Sequence, residues 1–198
     1  SHTLENIYQC AQWVALCMDF NLKPYVWLGE STLCPEDSIP CDELVFNSFA
    51  LDIVRTTLSR GIFSPTGERK VKFSHPEYHD FLIAEGIKNW INEKNWECLL
   101  FTEDRISVYQ GRQQVAAWLA SDPQFRSTIL ERQPELLLRT AETVISVGPD
   151  ALCRDLVSHA DNMSHRDIFQ ENFAKHLIRL NTENTSQILR SFLSSKPT

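Results

Sequence analysis

The chain has 198 residues, 42% of them hydrophobic, and a formal net charge of -7, with a pI near 5.4 and a mean hydropathy of -0.27. That length suits one large domain or two small ones, and no apolar run approaches the roughly 20 residues a membrane-spanning helix needs. The acid excess argues against a general nucleic-acid binder, whose phosphate contacts require concentrated Lys and Arg.

Leu4, Ile7, Tyr8, Ala11, Val14, Ala15 and Met18 recur at helical spacing, which predicts a helix over 4–20 closed by Asn21-Leu22-Lys23-Pro24. Tyr25-Val26-Trp27-Leu28-Gly29 reads as a strand or a buried turn, and Glu30 to Pro40 as a loop broken by Pro35 and Pro40. Asp42 is the expected N-cap of a helix over 42–60, with Val45 or Phe46, Phe49, Ile53 and Leu58 facing inward and Gly61 after its end. Ile62-Phe63 and Val71 to Phe73 flank Ser64-Pro65-Thr66-Gly67-Glu68, a turn-forming insert between apolar ends that predicts a β-hairpin. Ser74 or His75 then caps a helix whose first position suits Pro76, because no N–H is needed there. Tyr78, Phe81, Leu82, Ile87, Trp90 and Ile91 supply its apolar face.

Beyond Asn95 the pattern changes to short helices, expected at 112–120, 123–131, 134–145, 149–160, 167–180 and 185–194, with starts at Asp122-Pro123 and Gly148-Pro149. No strand signal follows about Phe101. Successive short helices with brief connections point to a helical-repeat array. The expected organisation is mainly α: a helical segment over 1–41, a winged-helix domain with a β-hairpin wing over 42–98, and an α-helical repeat-like domain over 99–198.

The candidate chemistry is sparse. The six glycines fall in neither a GxGxxG nor a GxxxxGK[ST] pattern, and no GxSxG occurs, so no phosphate-cradling loop or catalytic residue is assigned and the chain is not expected to be an enzyme. His75 and His79 stand four apart and share a helix face, the spacing of a metal pair, but no third ligand accompanies them and no metal is assigned. Cys34 and Cys41 flank an acidic Pro-containing loop and are read as unlinked thiols. Cys10, Cys17 and Cys153 fall in predicted helices as small core residues. Without a CxxC pair, the six cysteines are expected to be free thiols in a reducing, cytoplasmic setting. The start Ser1-His2-Thr3-Leu4 has no basic n-region, and the missing initiator Met predicts a fragment or processed chain. The 42–60 helix carries Arg55 and Arg60 against Asp42, Glu43 and Asp52, a poor balance for a major groove. The wing cations Arg69, Lys70 and Lys72 could touch a phosphate backbone and are also expected to contact a neighbouring domain.

Phe73, His75, Tyr78, Asp80, Phe81, Leu82 and Ala84 form a short motif that resembles the end of the winged-helix domain in STAND-type signalling NTPases, especially the NACHT group. Gly61-Ile62-Phe63 is similar to that family's lead-in to the hairpin, and the stretches 115–125 and 130–138 resemble the helical region after the NTPase module of bacterial members. The resemblance covers about residues 42–140. It implies that residues 1–41 end an ATPase lid and that His75 contacts the β-phosphate of ADP, holding a closed, inactive state. It also implies an upstream NTPase domain that binds ADP or ATP with Mg²⁺, since this chain carries no P-loop and no cofactor of its own. The implied partners are that domain, a sensed protein or peptide, and further copies on activation. Two other readings stand beside it: a free-standing helical adaptor for protein or peptide, and a winged-helix nucleic-acid binder.

Overall fold

A computed structural model of the chain describes residues 3–46, 49–91, 95–104, 107–139, 145, 147–159, 180 and 182–195. It is mainly helical, with a small four-stranded sheet. Packing divides the chain into two compact units, Ser1–Ile91 and Asn92–Thr198. The first unit holds the N-terminal helix together with the hairpin, because that helix packs against the helices on either side of the hairpin.

The first helix, α1 (Leu4–Phe20), begins where the Thr3 side chain accepts the Asn6 N–H at 3.2 Å. Its end is a Schellman arrangement: Leu22 N–H reaches Asp19 O at 3.1 Å and Lys23 N–H reaches Met18 O at 2.9 Å. Leu22 takes the left-handed conformation there, φ 54°. The predicted apolar stripe is only part of what α1 buries. Cys10, Gln12 and Leu16 are buried too, while Leu4 is 81% exposed. The helix is enclosed on two sides, by α2 (Leu51–Leu58) and α3 (Pro76–Trp90). Buried Gln12 accepts the Asn89 side-chain N–H of α3 at 3.0 Å.

The sheet has the order β2-β1-β4-β3. Tyr25–Trp27 is β1, which resolves the strand-or-turn alternative, and it runs parallel to β2 (Ser38–Pro40) and antiparallel to β4 (Lys70–Phe73). The expected loop over 30–40 therefore contains a 3₁₀ turn, Ser31–Leu33, and a strand. Each outer strand carries a proline, Pro40 in β2 and Pro65 in β3 (Phe63–Pro65), which limits further strand pairing.

The expected helix over 42–60 is corrected most. Among the described residues of that stretch only α2 is helical, and Ala50 sits at its N-cap without a side-chain bond. Asp42 accepts the Ser31 hydroxyl instead of capping a helix. Phe46 and Phe49 exchange backbone hydrogen bonds at 3.3 and 2.7 Å, a bridge incompatible with continuous helix. The apolar residues ahead of Leu51 serve an aromatic cluster: Trp13 stacks on Phe46 at 4.5 Å, and Trp90 meets Phe49 edge-on at 5.7 Å.

The hairpin pairs Phe63 with Phe73 and Pro65 with Val71. Its turn needs two left-handed residues, Gly67 (φ 71°) and Arg69 (φ 57°), and glycine meets that demand at no steric cost. On α3, Leu82, Ile83, Ala84, Gly86 and Ile87 are buried. Tyr78 and Trp90, expected to face inward, are 44% and 36% exposed.

The second unit contains α4 (Trp96–Leu100), which the sequence did not predict, then α5 (Gln113–Leu119) and α6 (Pro123–Arg132). Asp122 caps α6 by accepting the Gln124 N–H at 2.9 Å, as Asp-Pro at a helix start leads one to expect. An isolated bridge joins Phe101 to Val108. The predicted helix over 134–145 is a 3₁₀ turn at Pro134–Leu138, and residues 140–144 and 146 lie outside the described residues. Two further helices are α7 (Pro149–Ser158) and α8 (Glu183–Ser195). Asp150 of α7 accepts Thr182 Oγ1 at 2.7 Å and Asn184 Nδ2 at 2.9 Å, at the start of α8. The helix expected over 167–180 lies, apart from Leu180, outside the described residues. Trp96 centres an aromatic core with Phe125 at 5.0 Å and Phe101 at 6.0 Å. Arg132 crosses the Phe101 ring at 4.4 Å to pair with Glu97 at 2.7 Å.

Candidate functional site at the hairpin-to-helix junction

The junction is fixed by Ser74. Its N–H donates to Ile62 O at 2.8 Å and its hydroxyl to Gly61 O at 3.0 Å, so both ends of the hairpin are tied together where β4 stops. His75 follows in extended conformation, φ -136° and ψ 139°, as a residue before proline prefers. It occupies the N-cap position of α3, but its side chain makes no cap hydrogen bond. The capping role expected for it is therefore positional only. The ring is exposed and stands edge-on to Tyr78, 5.3 Å between centroids at 88°. An imidazole so placed can offer an N–H to an anionic oxygen brought to it.

His79 does something different. Its ring stacks on Phe73 at 4.8 Å and its Nε2 lies 3.3 Å from Ala15 O, joining β4, α3 and α1. The two histidines thus stand at the cap and in the first turns of one helix and do not share an environment. Among the described residues, no group of three or more His, Cys, Asp or Glu is arranged to hold a metal ion.

The three wing cations also part company. Lys70 grips both carboxylate oxygens of Asp37, at 2.8 and 2.9 Å, and lies 5.0 Å from the centroid of the Tyr25 ring. The Lys70 hydrogen bond, helped by the Ser38 hydroxyl, holds the Asp37 carboxyl below its ordinary range. Lys70 therefore works inside the first unit. Arg69 and Lys72 are exposed. The Arg69 carbonyl accepts the Leu28 N–H at 2.7 Å, anchoring the turn to the residue after β1.

All six cysteines are free thiols. Burial pushes the Cys10 and Cys153 thiols up, and burial with the nearby Cys10 pushes Cys17 up to about 11, which keeps these groups protonated near neutrality. Cys34 is half-buried, its Sγ 3.5 Å from both Pro35 O and Ser38 O, while Cys41 is buried.

One feature of the first unit escaped the sequence. A cleft of about 420 Å³ opens between α2 and the hairpin, with Arg55 at its edge. The periodicity of α2 places Arg55 one turn ahead of Leu58, but only the hairpin's return over α2 makes a cavity there. Among the described residues, no helix is long and apolar enough to cross a membrane. Comparison of the chain with protein-family models, curated proteins and solved structures gives no match.

Proposed function

We propose that this chain is the winged-helix and helical-sensor portion of a STAND-type, NACHT-like NTPase switch that works in cytoplasmic signalling or defence. In this reading it has no catalytic residue. The nucleotide, ADP or ATP with Mg²⁺, is held by an NTPase domain upstream, and the helices after the hairpin meet a sensed protein or peptide. Ligand sensing opens the switch and lets copies assemble. The order helix, two strands, helix, hairpin, helix in the first unit, with the hairpin running into α3, supports a winged-helix assignment.

The observation that carries the proposal is the state of His75. It is exposed at the hairpin-to-helix junction with no side-chain cap bond, so its ring is open to a phosphate on a neighbouring domain. Arg69 and Lys72, exposed on the same hairpin, are the wing cations open to such a domain. The test is the ADP dissociation rate and basal activity of the intact parent protein, wild type against His75→Ala. Faster ADP release with raised basal activity supports the switch, and an unchanged rate makes His75 a structural residue.

A second reading, a free-standing adaptor for a protein or peptide, draws on the exposed apolar residues Val45, Phe46 and Trp90. The coding sequence ahead of Ser1 separates the two readings, since a P-loop there belongs only to the switch.

A further inference from the structure

The cleft between α2 and the hairpin has apolar walls. Leu58, Phe63 and Val71 are 4%, 6% and 6% exposed, core residues that show one edge to the cleft, and Leu28 and Pro65 extend the surface outward. Its volume of about 420 Å³ lies within the range of about 300–1,000 Å³ usual for ligand sites, room for an apolar side chain and its neighbour. The polar lining is Arg55 of α2 and Ser59 at its C-cap. Arg55 is exposed and forms no ion pair among the described residues. The carboxylate whose charge it feels, Asp42, is already engaged by the Ser31 hydroxyl.

Two further exposed cations neighbour lining residues along the chain. Arg60 follows the lining residue Ser59, and Arg69 binds the lining residue Leu28 through its backbone. Asp52 and Glu68 offset part of this charge. Even so, a guanidinium on the lining of an apolar cleft stands out in a chain of net charge -7.

The backbone narrows the mode of binding. β3 is an edge strand, yet its outward groups offer no free donor: the Phe63 N–H is taken by Arg60 O at 2.9 Å, and Pro65 has none. Strand addition, which relies on main-chain hydrogen bonds, finds no N–H donor at Phe63 or Pro65. That favours an occupant held by its side chains.

We infer that this cleft docks an acidic peptide segment of a partner protein, seating one apolar side chain against Leu58, Phe63 and Val71 while an adjacent carboxylate pairs with Arg55. Guanidinium suits this role because its planar fork matches a carboxylate, and the apolar walls weaken competition from water. The inference concerns the first unit alone and does not depend on the switch reading.

The test is selection of a random linear peptide library displayed on phage against the full chain, followed by affinity measurement with synthetic copies of the enriched peptides. The expected result is enrichment of sequences with Asp or Glu beside a large apolar residue. Their affinity should fall about tenfold or more on Arg55→Glu, as loss of a charge-assisted hydrogen bond predicts, and comparably on Leu28→Asp. Both positions are solvent-accessible, circular dichroism checks the fold, and Arg55→Gln replaces any variant that fails it. No enrichment, enrichment of basic or neutral peptides, or affinity indifferent to both substitutions overturns the inference.

Discussion

The indole N–H of Trp13 donates to the backbone carbonyl of Leu44 at 3.1 Å, and this bond connects the middle of α1 to the chain just before α2. The same indole stacks on Phe46 and lies 6.2 Å from Trp90. Trp13→Phe keeps most of the packing and loses the hydrogen bond, so it should cost about 1 kcal/mol. Trp13→Ala removes both and should cost about 3–5 kcal/mol. Urea midpoints of the two variants check the order, and equal losses would show that the bond to Leu44 contributes nothing.

Gly86 marks the closest approach of α3 to α1. A Cβ placed there would stand 2.8 Å from both Cγ and Cδ1 of Leu16 and 3.3 Å from Gln12 O. Alanine gains about 1 kcal/mol in helix propensity, but Leu16 is fully buried and has little room to give. Overpacking costs about 1–3 kcal/mol, so Gly86→Ala should be net destabilising by about 1 kcal/mol and Gly86→Val by more. A raised melting temperature in Gly86→Ala would mean that the helices part without penalty.

Leu22 holds a left-handed conformation at the C-terminus of α1 and is 85% exposed. A side chain gains nothing there and the conformation costs a non-glycine residue about 1–2 kcal/mol. Leu22→Gly keeps the Schellman bonds and should raise stability by about 1 kcal/mol, read as an upward shift of the thermal midpoint.

Tyr8 keeps 36% of its surface exposed, yet its hydroxyl donates to Glu85 Oε2 of α3 at 3.2 Å. Partial burial first, and the Glu85 charge second, push its phenol up to about 12. Because the folded-state value is raised, the associated stability is complete below the ordinary value of 10.0 and is lost as pH climbs toward 12. In an alkaline ultraviolet titration, Tyr8→Phe should remove a phenol step near pH 12, and Glu85→Gln should move that step to lower pH. A Tyr8 step at its ordinary position would contradict this geometry.

His75→Ala should separate function from stability. The side chain is exposed and makes no cap bond, so the isolated chain should change by less than about 0.5 kcal/mol. Under the switch reading proposed above, loss of a charge-assisted bond from His75 to phosphate in the intact parent should cost about 1.5–3 kcal/mol. That is roughly a ten- to hundredfold acceleration of ADP release. A large loss of stability in the isolated chain would assign His75 to the scaffold.

Some elements were legible because their signals are local. The spacing over 4–20 marks α1, Ser64-Pro65-Thr66-Gly67-Glu68 marks the hairpin turn, and Pro76 and Asp122-Pro123 mark the starts of α3 and α6. Each depends on dihedral preference or on partners within a few residues. His75 could likewise be placed at a helix start, because its position is set by Pro76 beside it.

What lay beyond the sequence involves partners distant along the chain. Ser38-Ile39-Pro40 becomes a strand only because Tyr25–Trp27 lies alongside it, and three residues carry too little pattern to announce a strand. Apolar spacing over 42–60 implied one long helix, but Phe46 and Phe49 bond to each other while Trp13 stacks on Phe46 and Trp90 packs on Phe49. Lys70 resembled a free wing cation until folding put Asp37 beside it. The sequence by itself determined where most helices and the hairpin begin, since those choices are made by neighbouring residues. Tertiary structure alone decided which cations stay free, where the Arg55 cleft opens and how short α2 is, because pairing and burial there join residues that only the fold brings together.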